Sequence, residues 1–311
     1  MEHRDLGHPR TLREYLRLFL TGFAMGTADI IPGVSGGTMA FILGIYATLL
    51  NAIKSINLKA LALLTKRQFR ELLSHVSFFF LLSVFLGIGA AIVTLSNLLG
   101  RALEEYPTFV FAFFGGLVLA SIVAISSRVR WTAGAAGAVV VGAVGAFIIV
   151  GLPELQQADH SLPVLFVSGM IAICAMILPG ISGAFILLIL GQYQFVLNAV
   201  RALDILSLLA VGLGAVVGLL GFSRILSWLL KHHEHMTVAA LIGFMLGSLR
   251  RIWIEASAGT ARIETVDLGV VALIAVLFGI GFLAVSFLDH LQSRANPVMA
   301  LVWRPRAAEG E

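Results

Sequence analysis

The chain has 311 residues, of which 59% are hydrophobic and 12% charged, with a formal net charge of +4. Soluble proteins carry about 25% charged residues, so this composition excludes a soluble domain, alone or on one anchor, and describes a polytopic membrane protein. The small positive charge sits in short loops, which speaks to membrane orientation and not to nucleic acid, and the single cysteine, Cys174, excludes an internal disulfide.

The first 15 residues are charged and lack a small-residue cleavage site behind a short apolar core, so no cleavable signal is expected. Residues 16–50 follow as an apolar segment interrupted near its middle by PGVSGGT at 32–38. It is too long for one ordinary span and barely long enough for two. Residues 54–70 carry Lys54, Lys59, Lys66, Arg67 and Arg70, a stretch suited to anionic lipid headgroups. Three membrane-length segments come next, at 77–99, 108–127 and 132–150, and then a loop with Glu154 and Asp159. Segment 163–200 is again long and again broken, by PGISGAF at 179–185. Three further spans are expected at 205–230, 236–254 and 268–288. Between the first two of these lies Lys231-His232-His233-Glu234-His235, which resembles a metal cluster but reads better as a loop at a membrane face, with no second ligand group elsewhere.

The two breaks are one motif written twice. From Pro32 to Ile53 against Pro179 to Val200, 11 of 22 positions are identical, at a shift of 147. Gly87-Ile88-Gly89-Ala90 matches Gly212-Leu213-Gly214-Ala215 at a shift of 125, and Gly116–Ser121 resembles Gly243–Ser248. The expected fold is therefore all-α and polytopic, with an inverted structural repeat. Each half holds one re-entrant broken-helix hairpin plus three transmembrane helices, with halves at 1–155 and 156–311. Proline and glycine split each broken segment into two half-helices joined by an irregular turn. In lipid such a turn survives only where protein buries it or water reaches it.

Charge placement fits this topology with both termini on one side. That side holds Arg4, Arg10, Arg13, Arg17, Lys54, Lys59, Lys66, Arg67, Arg70, Arg128, Arg130, Lys231, Arg294, Arg304 and Arg306, which is 15 basic residues. The other side holds five (Arg101, Arg201, Arg250, Arg251 and Arg262), with Arg224 inside a span. The positive-inside rule makes the richer side cytoplasmic. One hairpin and three crossings per repeat is an odd count, so the second repeat is inverted.

Chemistry gathers at the breaks. The helix after each Pro-Gly begins near Ser35 or Ser182, where unpaired N–H groups and the helix dipole favour an anion. Gly36, Gly37 and Gly183 would let a ligand approach the backbone, and Ser35, Thr38 and Ser182 add hydroxyls. The alternative for Ser35 and Ser182 is simple helix capping. Asp29 is the one carboxylate deep in an apolar segment, replaced by Met176 in the second copy. It either takes up a proton or cation coupled to transport or stabilises the turn. Arg224 either snorkels to the interface or meets phosphate. Tyr46 and Tyr193, each 11 residues after its serine, line the site or anchor at an interface. The first copy, with Asp29, Gly37 and Thr38 against Met176, Ala184 and Phe185, is expected to do most of the polar work.

With GTADIIPGVSGGT at 26–38, LGIY at 43–46, MILPGISGAF at 176–185, the paired histidines at 232–233 and IGFMLGSL at 242–249, the chain resembles the polyprenyl-phosphate transporter family over nearly its whole length. That resemblance implies return of undecaprenyl phosphate from the outer to the inner leaflet of a bacterial cytoplasmic membrane, recycling the carrier of envelope polymers. It also implies a basic residue at Arg224. Ile254-Glu255 departs from the family, whose members often carry proline there. The partners implied are the lipid and the bilayer, with no cofactor, no metal and no nucleic acid. Two other functions remain open: an intramembrane undecaprenyl pyrophosphate phosphatase, and a small-anion transporter or channel.

Overall fold

The computed structural model describes residues 9, 11–31, 35–261, 263, 266–293 and 296–302. Pro32, Gly33 and Val34 of the first break lie outside the described residues, as do Arg4, Arg10, Arg262, Arg294, Arg304 and Arg306 of the charge count. All regular structure among the described residues is helical.

The first broken segment comprises α1 (Leu12–Asp29), α2 (Gly36–Ile42) and α3 (Tyr46–Lys54). Short helices α4 (Leu58–Thr65) and α5 (Phe69–His75) carry the basic stretch, with Lys59, Lys66, Arg67 and Arg70 exposed. Then come α6 (Phe78–Glu105), α7 (Pro107–Ser126) and α8 (Ala133–Val150). The second half runs α9 (Leu162–Ile177), α10 (Gly183–Ile189), α11 (Tyr193–Ala202), α12 (Ile205–His232), α13 (Glu234–Thr260) and α14 (Leu268–Ser293). Six helices, α6, α7, α8, α12, α13 and α14, are long and apolar enough to cross a membrane, and they coincide with the six expected spans. Several outrun the apolar stretch, as α6 does to Glu105, because a helix satisfies its own backbone wherever it emerges. The expected loop at 231–235 is instead a tight turn in which only His233 is non-helical.

Each broken segment is three helical pieces, not two. A second break falls within the Leu-Gly-x-Tyr that closes each motif, bending α2 against α3 by 116° and α10 against α11 by 106°. Gly44 and Gly191 adopt φ of 72° and 67° there. The Ile45 N–H donates to the Ala40 carbonyl and the Gly44 N–H to Phe41, and Gln192 and Gly191 repeat this on Leu187 and Leu188. These are glycine-terminated helix ends in which a left-handed residue lets the chain satisfy its last carbonyls. That signal was present in the sequence as a glycine after an apolar run.

Small residues set the helix pairing. α1 meets α6 where Gly22 lies against the Val84 carbonyl and Gly87 against Phe19. α9 meets α12 identically: Gly169 lies against the Val211 carbonyl and Gly214 against Phe166. α7 meets α14 through Gly116 on Phe278 and Gly281 on Phe113, and α13 meets α8 through Gly243 on Val139 and Gly142 on Ala240. Corresponding helices thus make corresponding pairs. In α6 and α12 the correspondence runs at a shift of 127 (Phe78 to Ile205, Val84 to Val211), which corrects the shift of 125 read from the glycine pattern. Gly87 answers Gly214. Gly89 and Gly212 face open space, which is why the sequence register slipped by two.

α7 and α13 form the centre, with 72% and 50% of their most apolar stretches buried against 11–28% for the other four. The outer helices therefore give apolar side chains such as Val93, Val141 and Leu283 to lipid. Gly87→Ala would drive a methyl into the Phe19 backbone and is expected to destabilise by roughly 1–3 kcal/mol. Gly89→Ala is expected to stay within about 0.5 kcal/mol of the parent. Thermal unfolding of the two variants in detergent checks the pair.

Candidate functional site

The two breaks grip each other. α9 ends at Ile177, leaving its last carbonyls without intrahelical donors. The first copy supplies the donors. The Ser35 hydroxyl lies 3.2 Å from the Met176 carbonyl and 3.5 Å from that of Leu178, and the Tyr46 hydroxyl donates to Ile177 at 3.0 Å. In return the Gly180 N–H donates to Thr38 Oγ1 at 3.0 Å. Ser35 also caps α2, accepting from the Gly37 N–H at 3.1 Å. Ser35, Thr38 and Tyr46 are all buried.

Gly37 serves the same contact, while Gly183 and Gly36 allow close approach within their own copies. A side chain at Gly37 would strike the Ile177 carbonyl, and one at Gly183 would strike that of Ala172. At Gly36 it would strike the Asp29 carboxylate, which accepts the Gly36 N–H at 2.7 Å. Asp29 therefore ties the end of α1 to the start of α2. It is a turn-stabiliser here, and the same side chain also lines a cavity.

That cavity, about 450 Å³, is lined by Asp29, Ser182, Tyr193, Arg251 and Glu255 among apolar residues including Ile92, Phe185 and Leu188. Arg251 pairs with Glu255 one turn along α13. Its guanidinium carbon sits 4.6 Å from the centre of the Phe185 ring, and its buried Nε has no hydrogen-bond partner among the described residues. Ser182 makes no side-chain cap bond to its own helix. The polar lining thus draws Ser182 and Tyr193 from the second copy and Asp29 from the first, whose Ser35 and Tyr46 hydroxyls are bound to carbonyls and whose Thr38 hydroxyl accepts the Gly180 N–H.

Arg224 stands apart. It donates to the Leu220 carbonyl on its own helix and, at 3.2 Å, to the Ile56 carbonyl beyond α3. Arg251 and Glu255 are not among the site residues expected from the sequence, where Arg250 and Arg251 count together among the five basic residues of one side. The two arginines part company: Arg250 donates to the Phe147 carbonyl at 2.8 Å. Helical phase carried the signal, since Ser248, Arg251 and Glu255 recur on the i, i+3, i+7 face of a helix whose Ser248 and Ile252 are buried.

The family model described as "VCA0040-like: Undecaprenyl phosphate translocase-like" matches residues 25–270. A protein of Vibrio cholerae named polyprenyl-phosphate transporter is 43% identical over 247 residues, covering 77% of this chain and 78% of that protein. One of the same name from Staphylococcus aureus is 36% identical over 248 residues, covering 74% of this chain and 83% of the relative. No solved structure matches the chain.

Thr38→Val keeps the shape of the side chain and removes the acceptor for the buried Gly180 N–H. It is expected to cost about 1–3 kcal/mol, and Thr38→Ser is expected to recover most of that. Thermal unfolding reads both.

Proposed function

The chain belongs to the undecaprenyl phosphate translocase-like family, and we propose that it returns undecaprenyl phosphate from the outer to the inner leaflet of a bacterial cytoplasmic membrane for reuse in envelope polymer synthesis. The observation that carries this reading is the cavity beside the joined breaks, where Arg251, Ser182 and Tyr193 line a pocket in a largely apolar bundle. An arginine is suited to a phosphate head, forming two charge-assisted bonds with it. The isoprenoid tail needs no polar path and stays in lipid.

Charge balance favours coupling. The cavity sets one guanidinium against two carboxylates, Asp29 and Glu255. A phosphate anion ~4 Å from a carboxylate at an effective dielectric of ~20 is repelled by roughly 4 kcal/mol. A proton carried on Asp29 would remove that repulsion, so lipid anion and proton would enter together. The corresponding helix pairs in the two halves support a repeat divided at 1–155 and 156–311, inverted and carrying its broken segments as re-entrant hairpins. In this reading one half rocks against the other around the breaks.

One feature favours a second reading. Ser182, Arg251 and Glu255 share the cavity, and a serine beside an arginine and a glutamate is the set an intramembrane pyrophosphate phosphatase would want. Phosphate release from undecaprenyl pyrophosphate, abolished by Ser182→Ala, would favour the enzyme.

A leaflet assay in proteoliposomes, following polyprenyl-phosphate exposure on each side, tests the transporter. Arg251→Gln is expected to slow transport by about tenfold or more, the loss of a charged hydrogen bond. Asp29→Asn is expected to flatten the pH dependence of the rate; normal transport with unchanged pH dependence would end the coupling idea. A wild-type protein without effect on leaflet distribution would remove the translocase reading.

A further inference from the structure

The end of α13 remote from Arg251 carries a second group of cavities. One, about 440 Å³, is lined by Tyr46, Arg128, Lys231, Glu234 and His235 with apolar neighbours. The other, about 410 Å³, adds Asn51, Lys54 and Ser227. Ala47, Leu230 and Lys231 belong to both, so the two adjoin. The 16 residues from His235 to Arg251 place this end about 24 Å along α13 from the first cavity, most of the ~30 Å of a hydrocarbon core.

The first of these cavities answers the one at Asp29. Tyr46 corresponds to Tyr193 at the shift of the breaks, and Arg128 corresponds to Glu255 at the shift of the spans. The charge has changed sign. Where the Asp29 cavity has a glutamate, this one has a guanidinium, half-exposed and paired with Asp289. Lys231 makes no ion pair among the described residues, and Lys54 donates only to the Ser227 hydroxyl, at 3.4 Å. Three cations against Glu234 and the Asp289 that pairs with Arg128 leave one net positive charge, carried by Lys54 and Lys231, on a concave surface, which concentrates anions more strongly than an open face does.

Shared residues also link the two ends. A narrow cavity of about 140 Å³ is lined by Asp29, Gly36, Gly37 and Tyr46. Asp29 belongs to it and to the Arg251 cavity, and Tyr46 belongs to it and to the basic one. The Tyr46 hydroxyl, held on Ile177, stands where a head group would pass.

We propose that Lys54, Arg128 and Lys231 form a second phosphate-monoester station, which takes the lipid head at the end of α13 opposite Arg251. The proposal rests on the transporter reading and assigns its second binding site. The head would exchange a cavity of mixed charge for a cationic one, so this station holds it without an added proton.

The test uses the full chain in zwitterionic nanodiscs, in an Arg251→Gln background so that only the second station is read, with farnesyl phosphate as probe. Lys54→Gln with Lys231→Gln is expected to weaken binding by about tenfold or more, and Lys54→Arg with Lys231→Arg is expected to restore it. Inorganic phosphate is expected to displace the probe. Unchanged binding in the glutamine variant would overturn the proposal. So would equal displacement by phosphatidylglycerol, which would assign the basin to general lipid attraction. The leaflet assay on the wild type separates this from its premise: transport with unaltered glutamine-variant binding sinks only the second station, whereas no transport sinks the transporter reading itself.

Discussion

Everything near the site depends on how a membrane-embedded helix end finds hydrogen-bond partners without water. The α9 carbonyls from Met176 to Leu178 lack donors on their own helix, and hydrocarbon offers none. Ser35 and Tyr46 supply donors, while Thr38 accepts the N–H of Gly180 on the far side of the same turn. Two interruptions that would each be costly alone become acceptable together. Gly37 is the steric condition for that approach, since a methyl there would strike the Ile177 carbonyl at the end of α9.

This arrangement bears on how a broken-helix site can work. On one copy the Ser35 and Tyr46 hydroxyls are bound to carbonyls of the other, whereas Ser182 and Tyr193 line the cavity with Arg251. Any movement that opened the first copy to a ligand would have to exchange those bonds for others, so the grip between breaks is a natural element for two alternative states. Asp29 sits next to that grip, holding Gly36 while facing the cavity. The proposed proton would therefore act on the same group that shapes the turn.

Around the breaks, the bundle repeats one packing rule. Glycine against a backbone carbonyl joins α1 to α6 and α9 to α12, and again α7 to α14 and α13 to α8. Such contacts suit lipid, where helices gain little by hiding apolar side chains and more by close backbone approach. The pairing is nearly the same in both halves, whereas the charges are not. Arg128 and Glu255 stand at corresponding positions with opposite sign, so the two ends of α13 offer an anion different surroundings.

Hydropathy and glycine placement determined the six spans, the two Pro-Gly breaks and the duplication, because each is a property of a continuous stretch and its own backbone. The family was legible for the same reason, in motifs such as GTADIIPGVSGGT. The turn at Gly44 and Gly191 was also encoded locally and went unread inside a longer apolar run. Tertiary structure alone decided the partners: that Ser35 and Tyr46 serve α9, that Arg224 turns to Ile56, and that Arg251 enters the cavity while Arg250 does not. It also decided which residues of α6 and α12 correspond, two positions from the match the glycine pattern suggested, through the way α6 packs on α1 and α12 on α9. The physical reason is rotation. Sequence period says which residues share a helix face, but the angle of each helix about its axis is set by the neighbour it packs on, and that angle determines which polar groups meet.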